Sequence, residues 1–213
     1  MKLCIPTLCN YDGVDALIRS AEAGTLPPTG YVVLDNGSRS PPGTGYGLPR
    51  LAAVLGERPA LGEVIEPGRN LGVAASWNVF LERHGAEPIV ISNDDIILGK
   101  SAFYNLDLLA GAGTPRAGYG WALFMQSPEC TAKVGYYDEN FWPAYYEDID
   151  YFIRMARAGV ADVRLEGYID IQHSGWTTTN AFGDADWLRD GRAKNLSYLV
   201  AKWGTAGLEA GTF

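Results

Sequence analysis

Three groups of side chains in this sequence have the types and spacing to do chemistry. Asn93, Asp94 and Asp95 stand together in "PIVISNDDIILGK", where an apolar run over residues 88–100 is broken by two carboxylates and an amide. Mg²⁺ and Mn²⁺ are commonly held by carboxylate, water and substrate phosphate, so such a group at a strand end suits a hard cation. On an extended strand Asn93 and Asp95 face the same side, and their oxygens can converge as the strand gives way to a turn. The same residues also make a serviceable turn cap, and the local sequence leaves both readings open.

The second group is Glu147, Asp148 and Asp150 in "YYEDIDYFIRMARAG". They open a segment in which Ile149, Phe152, Ile153 and Ala156 follow a helical pattern. Capping and the helix dipole favour acids in a first turn. The aromatic stretch "FWPAYY" just before them reads as a pocket wall, beside which partial desolvation raises a carboxyl toward the working range of a general base. Its rings could equally stack on a sugar or pack the wall of the fold. His173, in "IQHSGW", is the third element. A lone histidine more often makes a structural hydrogen bond, yet its place before Ser174-Gly175 suits a metal ligand. His84 reads as a solvent-facing cap at a helix end, without a catalytic part.

Strands must alternate with helices to position these groups. "KLCIPTL", "GYVVLDNGS", "LGEVIEPGRN" and "EPIVISNDD" read as strands, and "NYDGVDALIRSAEAG" and "LGVAASWNVFLERHG" as the helices between them. Nearly continuous apolar strands in this alternation predict a mostly parallel sheet covered by helices on both faces. In such sheets ligands collect outside the carboxyl ends of the strands, where Asp35 and Asn93–Asp95 lie. Residues 38–49, rich in Pro and Gly, read as a loop. In the second half "AGYGWALFMQ" reads as one strand, "ADVRLEGY" and "IDIQHSG" as extended, and "DADWLRDGRAKNLSYLVAKWG" as a final helix.

A chain of 213 residues is long enough for one sizeable core. Its net charge of −8 argues against a general nucleic-acid surface. Cys4, Cys9 and Cys130 have no zinc-like spacing, and reduced thiols in a cytoplasmic protein are the expectation. The start "MKLCIPTLCNYDG" is not read as a secretion signal, and no apolar run approaches a membrane span. Peripheral contact with a membrane needs only a surface patch and stays open.

Taken in order, "PTLCN", "VVLDNGS", "GRNLGVAASWN", "VISNDDIIL", "GWALFM", "DENFWPAYYEDIDYFIRMARAG", "HSGWTT" and "YLVAKWG" resemble family 2 glycosyltransferases of the GT-A fold, especially bacterial rhamnosyltransferase-like members. The resemblance implies a Rossmann-like α/β domain over residues 1–213, with a nucleotide-sugar-binding half (1–100) and an acceptor-binding, catalytic half (101–213). It implies that Thr7 and Asp35 line the nucleotide pocket, with Asp35 accepting from a pyrimidine base. Asn70 and Gly72 would shape the donor floor and Asp94 would lie near the donor ribose or sugar. Asp95 would reach a Mn²⁺ or Mg²⁺ on the diphosphate, with His173 completing that site. Asn93 departs from the acidic residue usual there, though an amide oxygen can still bind. Asp148 matches the catalytic base, beside Glu147.

The activity implied is inverting, hexosyltransferase-like transfer from a UDP- or dTDP-sugar to a glycan or lipid-linked sugar acceptor in bacterial polysaccharide biosynthesis. The chain is shorter than many such enzymes, so the acceptor surface is expected mainly from the aromatic loop and the final helix. Two other classes compete: a sugar-1-phosphate nucleotidyltransferase and a non-catalytic nucleotide-sugar-binding module. The first should carry an arginine in the loop after its first strand, which "PTLCNYDG" lacks. The second has no need for both Asp95 and Asp148.

Overall fold

In the computed structural model, which describes residues 1–37, 62–175 and 185–204, the apolar runs of the first half lie side by side as parallel strands. They are β1 (Lys2–Thr7), β2 (Gly30–Asp35), β3 (Gly62–Ile65) and β4 (Ile89–Ser92), in the spatial order β3-β2-β1-β4. The order turns back at β1, so a crevice opens between the carboxyl ends of β1 and β4. Thr7 stands at one lip and Asn93–Asp95 at the other. The Pro/Gly-rich loop at 38–49 lies outside the described residues, as does the end of "HSGWTT".

Side-chain alternation along the strands builds two cores, one on each face of the sheet. Leu3 and Ile5 of β1 pack with Val14, Leu17 and Ile18 of α1 (Tyr11–Glu22) and with Phe103 and Leu106 of α3 (Ala102–Gly111). Cys4 of β1 faces the other way, with Trp77, Phe80 and Leu81 of α2 (Val73–His84) and Tyr151 and Met155 of α5 (Glu147–Arg157). Each such side chain taken fully out of water stabilises the fold by about 1.5–3 kcal/mol. Asn10 starts α1 as the sequence suggests, its Oδ1 accepting from Gly13 N–H at 3.3 Å.

In the second half one expected strand divides. "AGYGWALFMQ" forms two strands, β6 (Arg116–Tyr119) and β7 (Leu123–Gln126), paired antiparallel. Gly120, at φ 54°, reverses the chain between them. β7 also pairs antiparallel with β4, and β8 (Asp162–Arg164) adds in parallel to β6, completing a seven-stranded sheet in which β7 runs against its neighbours. Arg116 is fully buried and held by Asp162, Gly120 O and the face of Trp121. A separate ribbon joins β5 (Ile96–Leu98) to β9 (Ile171–His173).

Two helices were not singled out from the sequence, α3 and the short α4 (Pro128–Val134). The final helix, α6 (Asp186–Trp203), packs against the loop that precedes α5. His84 differs from expectation: its ring is 11% exposed and lies 3.0 Å from Glu63 and 2.9 Å from Lys2 Nζ, tying α2 to two strands. Among the described residues no helix is long and apolar enough to cross a membrane.

Candidate active site

The crevice between β1 and β4 widens into a cleft of about 1090 Å³, at the upper end of the ~300–1,000 Å³ usual for ligand sites. Thr7, the last residue of β1, donates its hydroxyl to Asp94 Oδ2 at 2.6 Å, and Asn10 Nδ2 donates to Asp94 O at 3.1 Å. Asp94 is thus fixed at the floor. Burial pushes its carboxyl up to about 6, against the opposing hydrogen bonds from Thr7 and Asn10.

Asp95 and His173 are distant in sequence and adjacent in space. Pairing of Ile96 with His173 in the β5–β9 ribbon brings His173 Nε2 to 3.3 Å from Asp95 Oδ1, and Ser174 N–H donates to Asp95 O at 3.0 Å. One carboxylate and one imidazole, both lining the cleft, are a donor set that fits a divalent ion. No cluster of three His, Cys, Asp or Glu able to hold a metal occurs among the described residues. The fit is therefore to an ion that arrives with ligand phosphates and water, rather than to an all-protein cage. Asn93 lines the cleft beside the pair, its backbone N–H on Ala122 O at 2.8 Å.

Asp35 does not line this cleft. Its fully buried carboxylate accepts from Tyr11 hydroxyl at 2.9 Å and Gly37 N–H at 2.8 Å, and burial raises its pKa against those bonds. Asn36 lines the cleft in its stead, donating to Ser76 Oγ at 2.9 Å and accepting from Leu71 N–H at 2.9 Å. Asn70 and Gly72 form the next stretch of wall. Asn70 Oδ1 accepts from Gly72 N–H at 2.8 Å. Gly72 has φ 82°, and a Cβ there would lie 2.7 Å from Pro143 O, so no other residue fits this approach. Val73 N–H donates to the same oxygen at 2.9 Å, docking the start of α2 on the aromatic loop.

The three acids of α5 diverge around the helix axis, as successive helical side chains must. Glu147 and Asp148 line the cleft that holds Asp95 and His173. Glu147 is buried, and its Oε2 has no partner among the described residues. Burial first, and the neighbouring Asp148 charge second, push its carboxyl well above the ordinary range. Asp148 accepts from Ile149 N–H at 2.8 Å, and burial raises its carboxyl too. Asp150 points away from the cleft. It is fully buried and held by Arg154 Nε at 2.9 Å, Trp203 Nε1 at 2.8 Å and Lys202 Nζ at 2.7 Å.

The aromatic stretch divides between packing and cleft. Phe141 is buried edge-on to Tyr198, with ring centres 4.9 Å apart. Tyr145 lines the cleft and Trp142, 40% exposed, tilts against Trp187 at 6.4 Å. Sequence reasoning missed Asn36, Trp121, Trp187 and Arg164 as cleft residues. Asn36 had a signal, since it follows Asp35 directly at a strand end.

No family model matches the chain, and no curated protein matches it in sequence. Solved structures do match in fold. S. aureus TarS 1-349 superposes with a TM-score of 0.63 at 13% identity, over 100% of this chain and 75% of that one. Glucosyl-3-phosphoglycerate synthase from Mycobacterium tuberculosis, in complex with Mn²⁺, UDP and glucosyl-3-phosphoglycerate, gives 0.60 at 14% identity, over 95% and 79% of the two chains. Mannosyltransferase PcManGT from Pyrobaculum calidifontis, in complex with GDP-Man and Mn²⁺, gives 0.60 at 14% identity over 76% of this chain. The match spans about half, 53%, of the mannosyltransferase's own length. The fold is that of GT-A glycosyltransferases, as the sequence motifs implied.

Proposed function

We propose that the chain is a divalent-metal-dependent, inverting glycosyltransferase of the family 2, rhamnosyltransferase-like kind. It moves a sugar from a UDP- or dTDP-sugar to a hydroxyl of a glycan or lipid-linked acceptor in bacterial polysaccharide biosynthesis. One observation carries the reading: the Asp95–His173 pair and the Glu147–Asp148 pair line one cleft at the switch point of the sheet. A nucleotide-binding module needs no second, partly desolvated carboxylate pair there.

Thr7, Asn70, Gly72 and Asp94 hold the donor, with Asn36 added to that wall. Asp35 acts from behind it, fixing the Gly37 turn. Asp95 and His173 would hold Mn²⁺ or Mg²⁺ together with the donor diphosphate, and Asn93 would add an amide oxygen. A bound divalent ion supplies Lewis-acid neutralisation of the departing diphosphate. Asp148 takes the proton from the acceptor hydroxyl. As that oxygen bonds to the anomeric carbon from the face opposite the diphosphate, the carbon–oxygen bond to the leaving group breaks, and configuration inverts. The raised Asp148 carboxyl brings its basicity toward the range a general base works in. Residues 1–100 serve mainly the donor and 101–213 the acceptor, with His173 crossing over through the β5–β9 ribbon. Reduced thiols, as at the buried Cys4 and Cys130, fit a cytoplasmic setting, and peripheral membrane contact fits a lipid-linked acceptor.

The test is a panel of nucleoside diphosphate sugars, each with and without Mn²⁺, read by product mass and anomeric configuration. Metal-dependent sugar transfer with inversion is expected. Transfer of a nucleotide to a sugar phosphate would make the chain a nucleotidyltransferase instead, and tight donor binding without turnover would make it a binding module.

A further inference from the structure

The helix that carries Glu147 and Asp148 begins on two successive non-glycine residues in the left-handed region, Tyr145 at φ 75° and Tyr146 at φ 74°, and no side chain caps it. Such conformations persist only where the surroundings over-determine them, and they gather at functional sites. Here one side chain does much of the holding. Asn195 Nδ2, from the middle of α6, donates to Ala144 O at 2.9 Å and reaches Tyr145 O at 3.3 Å. Asn195 is fully buried, and its Oδ1 has no partner among the described residues. An unsatisfied buried oxygen costs about 1–3 kcal/mol, so what this amide contributes is its N–H groups. One turn earlier on the same helix, Gly191 lets α6 close on the loop: a Cβ there would lie 2.4 Å from Pro143 Cδ.

We propose that Asn195 is a positioning residue for sugar transfer, holding the Ala144–Tyr146 turn so that Tyr145, Glu147 and Asp148 face the cleft. The inference deepens the proposed function and rests on it. Thr7, Asp94, Asp95 and His173 sit on β1, on the segment between β4 and β5, and on β9, and Asn195 hydrogen-bonds to none of these. Asn70 and Gly72 lie nearer, against Trp142 and Pro143 of the same loop. Its loss therefore displaces the acceptor side and leaves the metal and diphosphate end of the donor site in place. A misplacement of about 1 Å at reacting groups costs on the order of 100-fold in rate.

The experiment compares wild type with Asn195→Leu, which keeps a similar volume and removes the donor. The expected result is a kcat lowered by about 10- to 100-fold, with the Mn²⁺-dependent gain in nucleotide binding unchanged. Tyr146→Gly, at a residue outside the cleft lining, admits positive φ without penalty. Added to Asn195→Leu, it should restore much of the lost kcat, which a merely structural role would not predict. A folded Asn195→Leu variant with wild-type kcat overturns the proposal, as does an equal loss of the Mn²⁺-dependent gain in nucleotide binding that Tyr146→Gly does not restore. Should Asn195→Leu fail to fold, Asn195→Ser, too short to span both carbonyls, is read by the same constants. A wild-type chain without transfer removes the proposed function and this inference together. Transfer by wild type alongside an unchanged variant removes this inference alone.

Discussion

Replacing Asp150 by Asn is expected to cost stability, while the same change at Asp148 is expected to cost rate. Asp150 is fully buried and receives Arg154, Trp203 and Lys202 at 2.7–2.9 Å, so its negative charge balances two cations in a place water does not reach. An amide keeps one acceptor, presents N–H groups to donors, and leaves Arg154 short of a counter-charge, while Lys202 keeps Asp138 at 2.6 Å. Removing one partner from a fully buried pair costs about 3–5 kcal/mol; with Arg154 19% and Lys202 26% exposed, about 2–3 kcal/mol is expected here, against a total of about 5–15 kcal/mol for a domain. With a urea dependence of about 2–3 kcal/mol per molar, the unfolding midpoint should fall by roughly 1 M. Asp148 lines the cleft with a carboxyl that burial already disfavours, so Asp148→Asn should hold the wild-type midpoint. It should lose about 100- to 10,000-fold in transfer at saturating donor. Urea titration followed by circular dichroism reads the first quantity and initial rates read the second. A wild-type midpoint for Asp150→Asn, or a folded Asp148→Asn enzyme with more than about a tenth of the wild-type rate, would refute this division of roles.

Glu147 binds a proton more tightly folded than unfolded, so its contribution to stability is fully present below the ordinary carboxylate pKa and is lost as pH rises through its raised folded value. Glu147→Gln should abolish that decline, and parallel unfolding curves from pH 4 upward would expose an unchanged slope if the reasoning is wrong. Gly72→Ala forces a side chain into a glycine-only conformation, φ 82° and ψ 173°, and onto Pro143 O. A loss of about 1–3 kcal/mol from strain alone is expected, and a thermal midpoint equal to wild type would contradict it. Asn93→Asp should keep transfer activity and tighten Mn²⁺ binding by adding a charged oxygen, and weaker binding in a folded variant would remove Asn93 from the ion's surroundings.

Strands β1–β4 and helices α1 and α2 were legible because each is a long enough apolar run or helical stripe to dominate its window, whereas the three residues of β5 are too few to do so. The β6–β7 hairpin was hidden for a physical reason: Trp121 and Ala122 in its turn are apolar because they line the cleft, which extends the run across the reversal. The Asn93–Asp95 and Glu147–Asp148 groups stood out as clusters of acids. That Asp95 meets His173 could not be read from spacing, because the contact depends on two three-residue strands pairing far apart in the chain. Asp35 was legible as a strand-end acid, but not its capture by Tyr11, which turns it inward and leaves Asn36 on the cleft. Gly191 and Asn195 were visible as poor helix formers inside a helical stretch, a hint of close packing that only the loop above them explains.

The most direct test of the shared cleft is calorimetric titration of UDP and dTDP into wild type, Asp95→Ala and His173→Ala, each with and without Mn²⁺. It needs neither the donor sugar nor the acceptor to be known. The account predicts that Mn²⁺ tightens nucleotide binding to the wild type, and that either substitution removes most of that gain while leaving the metal-free affinity and the fold intact. A Mn²⁺ effect undiminished in both variants, or absent from the wild type, would contradict it.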